Sequence, residues 1–122
     1  IMACNEGIKL ITSKKQTIVQ GIKSATPYTN YLFEITLDDT VNLTIDSVIV
    51  YNSNRCMKVN HHLSKETIAN KVALHAAIKE GNYSLLANCN ASADKVIVHY
   101  KINNKSRKIK ITSFEEETVT RR

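Results

Sequence analysis

The chain of 122 residues contains no tryptophan, one proline, three glycines and two phenylalanines. Its sequence has no stretch of 18 consecutive apolar residues, so no transmembrane helix is expected. It also has no Gly-x-Ser-x-Gly elbow and no glycine-rich phosphate loop, the motifs that place a nucleophile or a nucleotide. We therefore expect a protein that is not an enzyme and that carries no cofactor.

β-Branched residues are abundant, and they favour strands because isoleucine, valine and threonine restrict χ1 and pack well on a pleated surface. Alternation of apolar and polar residues over 31–37, 41–45 and 96–111 predicts strands, and the phase break near Asp46-Ser47 predicts a bulge or an inter-sheet corner. Asn103-Asn104 suits a two-residue hairpin turn, since asparagine tolerates positive φ. Together these patterns predict a mainly β protein, an antiparallel β-sandwich of about seven or eight strands with an immunoglobulin-like outline.

The length fits one domain. Residues 1–15 are interpreted as a lipobox remnant, a tether and a weak first strand, residues 16–114 as the sandwich, and residues 115–122 as a polar C-terminal tail. Residues 80–94 are expected to be a polar loop. Residues 64–80 are ambiguous between a helix and a strand, and we favour the strand because four apolar residues alternate there with period two: Val72, Leu74, Ala76 and Ile78.

The sequence Ile1-Met2-Ala3-Cys4 has the form of a bacterial lipobox. In that motif a signal peptidase cuts after a small residue, here Ala3, and the thiol of the following cysteine receives a lipid. Cys4 is therefore the expected lipid-attachment residue of an extracytoplasmic lipoprotein, periplasmic or anchored in the outer membrane. The alternative is an incidental cysteine near a terminus.

If Cys4 carries lipid, Cys56 and Cys89 remain. Two cysteines are the number that one disulfide needs, and an exported protein can keep such a bond. The alternative is two separate buried thiols that act as small apolar side chains.

A metal site is the alternative functional hypothesis. Cys56, His61 and His62 are close in sequence and are ligand types that copper and zinc accept, which would suit a small periplasmic metal-handling protein. The spacing matches no structural zinc motif, and adjacent histidines on a strand point to opposite faces. Incidental histidines are the simpler interpretation.

The formal net charge is +6. A basic surface is expected on the last hairpin, formed by Lys101, Lys105, Arg107, Lys108 and Lys110. Tyr100 is the only aromatic residue in that hairpin, whereas single-stranded nucleic acids are usually bound by several stacking aromatics. Nucleic acid is therefore not an expected partner. The hairpin is either a solvated strand face or a surface for anionic head groups or lipopolysaccharide.

Three regions carry a resemblance to a known family: the early Cys4, the segment from Tyr31-Leu32-Phe33-Glu34-Ile35 to Ile45-Asp46-Ser47-Val48, and the closing hairpin from residue 96 to 114. In these the chain resembles the small uncharacterised lipoproteins of Bacteroidetes, flavobacteria in particular, although Asn104 stands where the family commonly has glycine. The resemblance implies a secreted β domain on a lipid anchor and no activity. We expect a non-catalytic cell-envelope domain that binds a protein or glycan partner through its β-sheet surface and contacts the membrane through its lipid.

Overall fold

A computed structural model describes residues 7–21, 25–52, 54–66, 70–87, 89 and 93–121. These residues form ten strands: β1 (Ile8–Gln20), β2 (Tyr28–Leu37), β3 (Leu43–Asn52), β4 (Arg55–Val59), β5 (His61–Lys65), β6 (Lys71–Ile78), β7 (Tyr83–Leu85), β8 (Lys95–Ile102), β9 (Lys105–Ile111) and β10 (Glu115–Arg121). Sheet A has the order β10-β1-β2-β6-β5, and sheet B has the order β7-β4-β3-β8-β9. The described residues include no helix that could span a membrane.

The prediction of a β-sandwich with an immunoglobulin-like outline is confirmed. Without β10 and β7, the order β1-β2-β6-β5 reproduces strands A, B, E and D of that fold, and β3-β8-β9 reproduces C, F and G. β4 lies between β7 and β3 in sheet B, and the chain then crosses to sheet A through the single residue Asn60. The ten strands exceed the expected number because β7 and β10 lie in segments that we expected to be a loop and a tail.

The expectation of a polar tail at 115–122 is wrong, because residues 115–121 form β10. This strand pairs in parallel with β1, from Lys14 opposite Glu115 to Gln20 opposite Arg121. Of the three glutamates that indicated solvation, Glu117 has side-chain partners on β1: the Gln16 side-chain amide donates to it at 2.8 Å, and the Lys14 ammonium lies 3.8 Å from the same carboxylate.

The start of the chain also differs from expectation, since the lysine-rich segment that we interpreted as a tether and a weak first strand is the middle of a 13-residue strand. Lys15 on β1 donates to Asp94 at 2.9 Å, and Asp94 directly precedes β8 of the other sheet. This bond raises the pKa of Lys15. Lys15 thus connects β1 of sheet A to the start of β8 in sheet B.

Three local predictions are confirmed. Part of the ambiguous segment 64–80 is β6, and Asn70, at the turn before it, has a φ of 53°. The phase break at Asp46-Ser47 is a register shift that lets both Ile45 and Val48 face the core. The hairpin turn has φ values of 49° at Asn103 and 71° at Asn104, as a two-residue turn of this kind requires.

The core lies between the sheets and is centred on Tyr31 and Phe33 of β2, which are almost completely buried. Phe114, between β9 and β10, packs edge-on against Tyr31 at 5.3 Å between ring centres, and it lies 6.4 Å from the ring of Phe33. Burial raises the pKa of Tyr31. The aromatic residues therefore connect the end of sheet B to the middle of sheet A.

Gly7 precedes β1 with a φ of 84°, and its carbonyl accepts a hydrogen bond from the amide of Asp38 at 2.8 Å. A methyl group at this position would lie 2.5 Å from Cγ2 of Val41, so Gly7→Ala combines an unfavourable backbone conformation with a steric clash. We expect it to lower the free energy of unfolding by about 2–3 kcal/mol in urea denaturation.

Gly81 is the matched control for this substitution, because its φ is 83° and an added methyl group would meet no atom within 4 Å. Gly81→Ala should lower the free energy of unfolding only by the cost of the left-handed backbone conformation, about 1–2 kcal/mol. Equal losses in the two variants would contradict the steric part of the argument.

Candidate functional site

Alternation along three strands, β4, β8 and β9, places a set of lysines on the outer face of sheet B. The register puts Lys58 opposite Ile49, Lys95 opposite Tyr51, and Lys110 opposite Ile97, all with side chains on the side away from the core. We call this surface the lysine face, and its basic residues are Lys58, Lys95, Lys101, Lys108 and Lys110.

The strands of sheet B carry a larger excess of positive charge than those of sheet A. The strands of sheet B contain eight lysine and arginine residues and one acidic residue, Asp46, whereas those of sheet A contain six basic and four acidic residues. Asp46 lies 3.0 Å from Lys101. Lys95 lies over the ring of Tyr51 at 4.7 Å, and Lys58, Lys108 and Lys110 have no acidic partner among the described residues.

Part of the charge on sheet A is neutralised by local contacts. Glu34 accepts a hydrogen bond from Thr12 at 2.7 Å and forms an ion pair with Lys71 at 3.0 Å. Both contacts lower the pKa of its carboxyl group. The contact with Glu34 raises the pKa of Lys71. The two outer faces of the sandwich therefore differ in electrostatic character.

The structure divides the basic surface that the sequence predicted on the last hairpin. Lys101, Lys108 and Lys110 lie on the lysine face, whereas Lys105 and Arg107 pair with Ile102 and Tyr100 and so lie on the opposite side of β9. Sequence reasoning missed two members from earlier segments, Lys58 and Lys95. For Lys58 the available signal was its position between Met57 and Val59, which are both buried.

A polar groove adjoins the lysine face where β4 turns into β5. It has a volume of about 430 Å³ and is lined by Ser47, Lys58, Val59, Asn60, His61 and Ser84; we call it the corner groove. Asn60 is held by Asn82 through a backbone bond of 2.9 Å and a side-chain bond of 3.0 Å. The groove thus combines hydroxyl, amide and ammonium groups on a fixed corner of the backbone.

Cys56 and Cys89 form a disulfide with their Cα atoms 5.8 Å apart, which is one of the two alternatives left open by the sequence. Cys56 lies on β4 opposite Tyr51, and its carbonyl accepts a hydrogen bond from the amide of Leu86 at 2.8 Å. The disulfide and this hydrogen bond attach Cys89 and Leu86, which follow β7, to β4.

The disulfide overturns the proposed metal ligand set of Cys56, His61 and His62, because a sulfur in a disulfide is not a thiolate. The two histidines also diverge: His61 lies opposite Ala76 on the core side of sheet A, and His62 lies opposite His75 on its outer side. Within the ranges that the structure describes, no group of three or more His, Cys, Asp or Glu residues is arranged to hold a metal ion.

His62 and His75 face each other across β5 and β6, with ring centres 6.2 Å apart. They border a pocket of about 180 Å³ that is also lined by Asn30, Asn60, His61, Ala77 and Asn82; we call it the histidine pocket. Burial lowers the pKa of His75, and the nearby His62 and Arg121 lower it further. The neutral imidazole is therefore the dominant form of His75 at neutral pH.

Cys4, the expected lipid-attachment residue, lies outside the described residues. No family model, no curated protein and no solved structure matches the chain. The resemblance to Bacteroidetes lipoproteins therefore stays a prediction from sequence.

Proposed function

We propose that this protein is a non-catalytic domain of the cell envelope that works outside the cytoplasm and binds an acidic glycan on its lysine face. The observation that carries the proposal is the difference in charge between the two sheets. Three exposed lysines on that face, Lys58, Lys108 and Lys110, have no acidic partner among the described residues, whereas on sheet A Lys14 and Lys71 form ion pairs with Glu117 and Glu34.

The shape of the surface favours an extended polymer over a small anion. Lys108 and Lys110 are two residues apart on one strand, a spacing of about 7 Å, and Lys58 is three strands away, at about 14 Å. One exposed ammonium–carboxylate contact contributes at most about 1 kcal/mol. A chain with repeated carboxylate or sulfate groups can make several such contacts at once, and their free energies then combine.

The corner groove favours a glycan among such polymers. Sugar hydroxyls need partners that both donate and accept hydrogen bonds, and the groove supplies them from Ser47, Asn60 and Ser84 next to Lys58. A sugar ring that enters the groove would leave the charged part of the polymer on the lysine face.

Two observations support a location outside the cytoplasm. Disulfides persist in oxidising compartments and are rare in the cytosol, and the chain has one between Cys56 and Cys89. The Ile1-Met2-Ala3-Cys4 sequence adds the lipid anchor to the proposal. A test of the anchor is intact mass spectrometry of the protein extracted from membranes, in which Cys4 should carry a diacylglyceryl group.

The test of the proposed glycan binding compares two double substitutions on β9. Lys108→Glu with Lys110→Glu reverses two charges of the lysine face, whereas Lys105→Glu with Arg107→Glu makes the same change in net charge on the other side of the strand. We expect the first variant to bind alginate or dextran sulfate about 10–100-fold more weakly than the unmodified chain, from the loss of about 1 kcal/mol at each site and added repulsion. The second variant should stay within about threefold, as measured by calorimetry at low ionic strength.

Equal losses in the two variants would show that net charge alone drives binding and would overturn the role of the lysine face. Vesicles of phosphatidylcholine with phosphatidylglycerol serve as the competing surface. Tighter binding to these vesicles than to either polysaccharide would contradict the choice of a glycan.

A further inference from the structure

The outer side of sheet A has a feature that glycan binding does not use, the cross-strand pair of His62 and His75. We infer that these two imidazoles form a binding site for a divalent transition-metal ion, copper or zinc. The pair itself lies on the opposite sheet from the lysine face, and the histidine pocket beside it shares only Asn60 and His61 with the corner groove.

The distance between the rings fits chelation. His62 and His75 are direct partners in the antiparallel register of β5 and β6, and their ring centres are 6.2 Å apart with planes inclined by 37°. With a metal–nitrogen bond of about 2.1 Å, each ring centre lies about 3 Å from the ion, so two ligating rings have centres about 5–6 Å apart. Small rotations of the two side chains bring both nitrogens to one ion without movement of the backbone.

The surroundings leave room for the ion and its remaining ligands. The residues two positions from His75 on the same face of β6 are Ala73 and Ala77, so no long side chain on that strand covers the imidazole. The histidine pocket of about 180 Å³ opens beside the pair. Such a volume accommodates several water molecules, which complete the coordination of an ion that has two protein ligands.

The chemistry of the pair selects the class of metal. Imidazole nitrogen binds copper, zinc and nickel, whereas magnesium and calcium require oxygen ligands, mainly carboxylates. No carboxylate is among the residues that line the histidine pocket. A site without negative charge holds an ion through nitrogen–metal bonds alone, which excludes the hard cations.

The test is a titration of the full chain with zinc, monitored by the imidazole 15N resonances, together with a copper titration by calorimetry. The titration uses the unlipidated chain, in which Cys4→Ser removes the Cys4 thiol as a competing ligand. We expect the ring nitrogens of His62 and His75 to shift together with zinc, and copper to bind more tightly than zinc, in the order usual for nitrogen ligands. Magnesium at the same concentration should cause no shift.

His62→Ala is the main variant, because His62 is exposed on the edge strand and its loss leaves the core unchanged. We expect it to weaken copper binding at least tenfold, and His75→Ala to do the same. His99→Ala is the control, since His99 lies opposite Lys108 on the other sheet, and it should bind copper as the unmodified chain does.

Copper affinity that is unchanged in His62→Ala and lost in His99→Ala would overturn the inference, as would zinc shifts confined to other histidines. Neither result would bear on glycan binding, which the Lys108 and Lys110 substitutions test separately.

Discussion

Replacing Phe33 by alanine is expected to lower the free energy of unfolding by about 3–5 kcal/mol. The ring is 1% exposed at the centre of the core, opposite Leu74 in the register of β2 and β6. Its removal leaves a cavity and breaks contacts with the rings of Tyr31 and Phe114. Domains of this size are stable by about 5–15 kcal/mol, so the variant should lose a large part of its total stability.

Leu32 is the matched control, because it precedes Phe33 on β2 and faces the other side of the sheet, where it is half-buried. Leu32→Ala should lower the free energy of unfolding by about 1–2 kcal/mol, because the Leu32 side chain buries less apolar area than Phe33 does. Urea denaturation of both variants measures the difference. A smaller loss for Phe33→Ala than for Leu32→Ala would contradict the placement of the core on the Phe33 side of β2.

The second large effect concerns the disulfide. Cys89→Ser breaks the bond while it leaves the buried side chain of Cys56 almost unchanged in volume. The bond closes a loop with a sequence separation of 33, and the chain-entropy model then gives a loss of about 4 kcal/mol on its removal. Guanidinium denaturation should show this loss as a lower midpoint of unfolding, with little change in the spectroscopic signal of the folded state.

Chemical reduction of the unmodified chain is the control for this substitution. The reduced chain and Cys89→Ser should unfold at the same denaturant concentration, and dithiothreitol should have no further effect on the variant. An unmodified chain whose stability is the same with and without dithiothreitol would refute the contribution of the bond.

The strands that could be predicted from sequence are those with one face in the core and one in solvent. Residues 31–37 and 96–102 alternate because each successive side chain meets a different environment, and that requirement is visible locally. β10 could not be predicted in this way. Its Glu115-Glu116-Glu117 sequence reads as solvated, and the partners of these residues lie on β1, about one hundred positions earlier in the chain.

The candidate sites show the same limit, since both depend on register between strands. Five basic residues of the last hairpin lie close together in sequence, yet the pleat of β9 sends Lys105 and Arg107 to one side and Lys108 and Lys110 to the other. His61 and His62 are neighbours in sequence, but it is His75 that lies opposite His62. Which side chains share a surface follows from strand pairing, and composition does not contain that information.

The parallel pairing of β1 with β10 has a mechanical consequence. A tension that pulls the start of β1 and the end of β10 apart acts along both strands, in opposite directions, because the strands run the same way. The seven residue pairs from Lys14–Glu115 to Gln20–Arg121 are then sheared together instead of being peeled apart one after another. Many hydrogen bonds must break at once before this ladder slides, so the described domain should resist extension between these two strands better than one closed by an antiparallel hairpin.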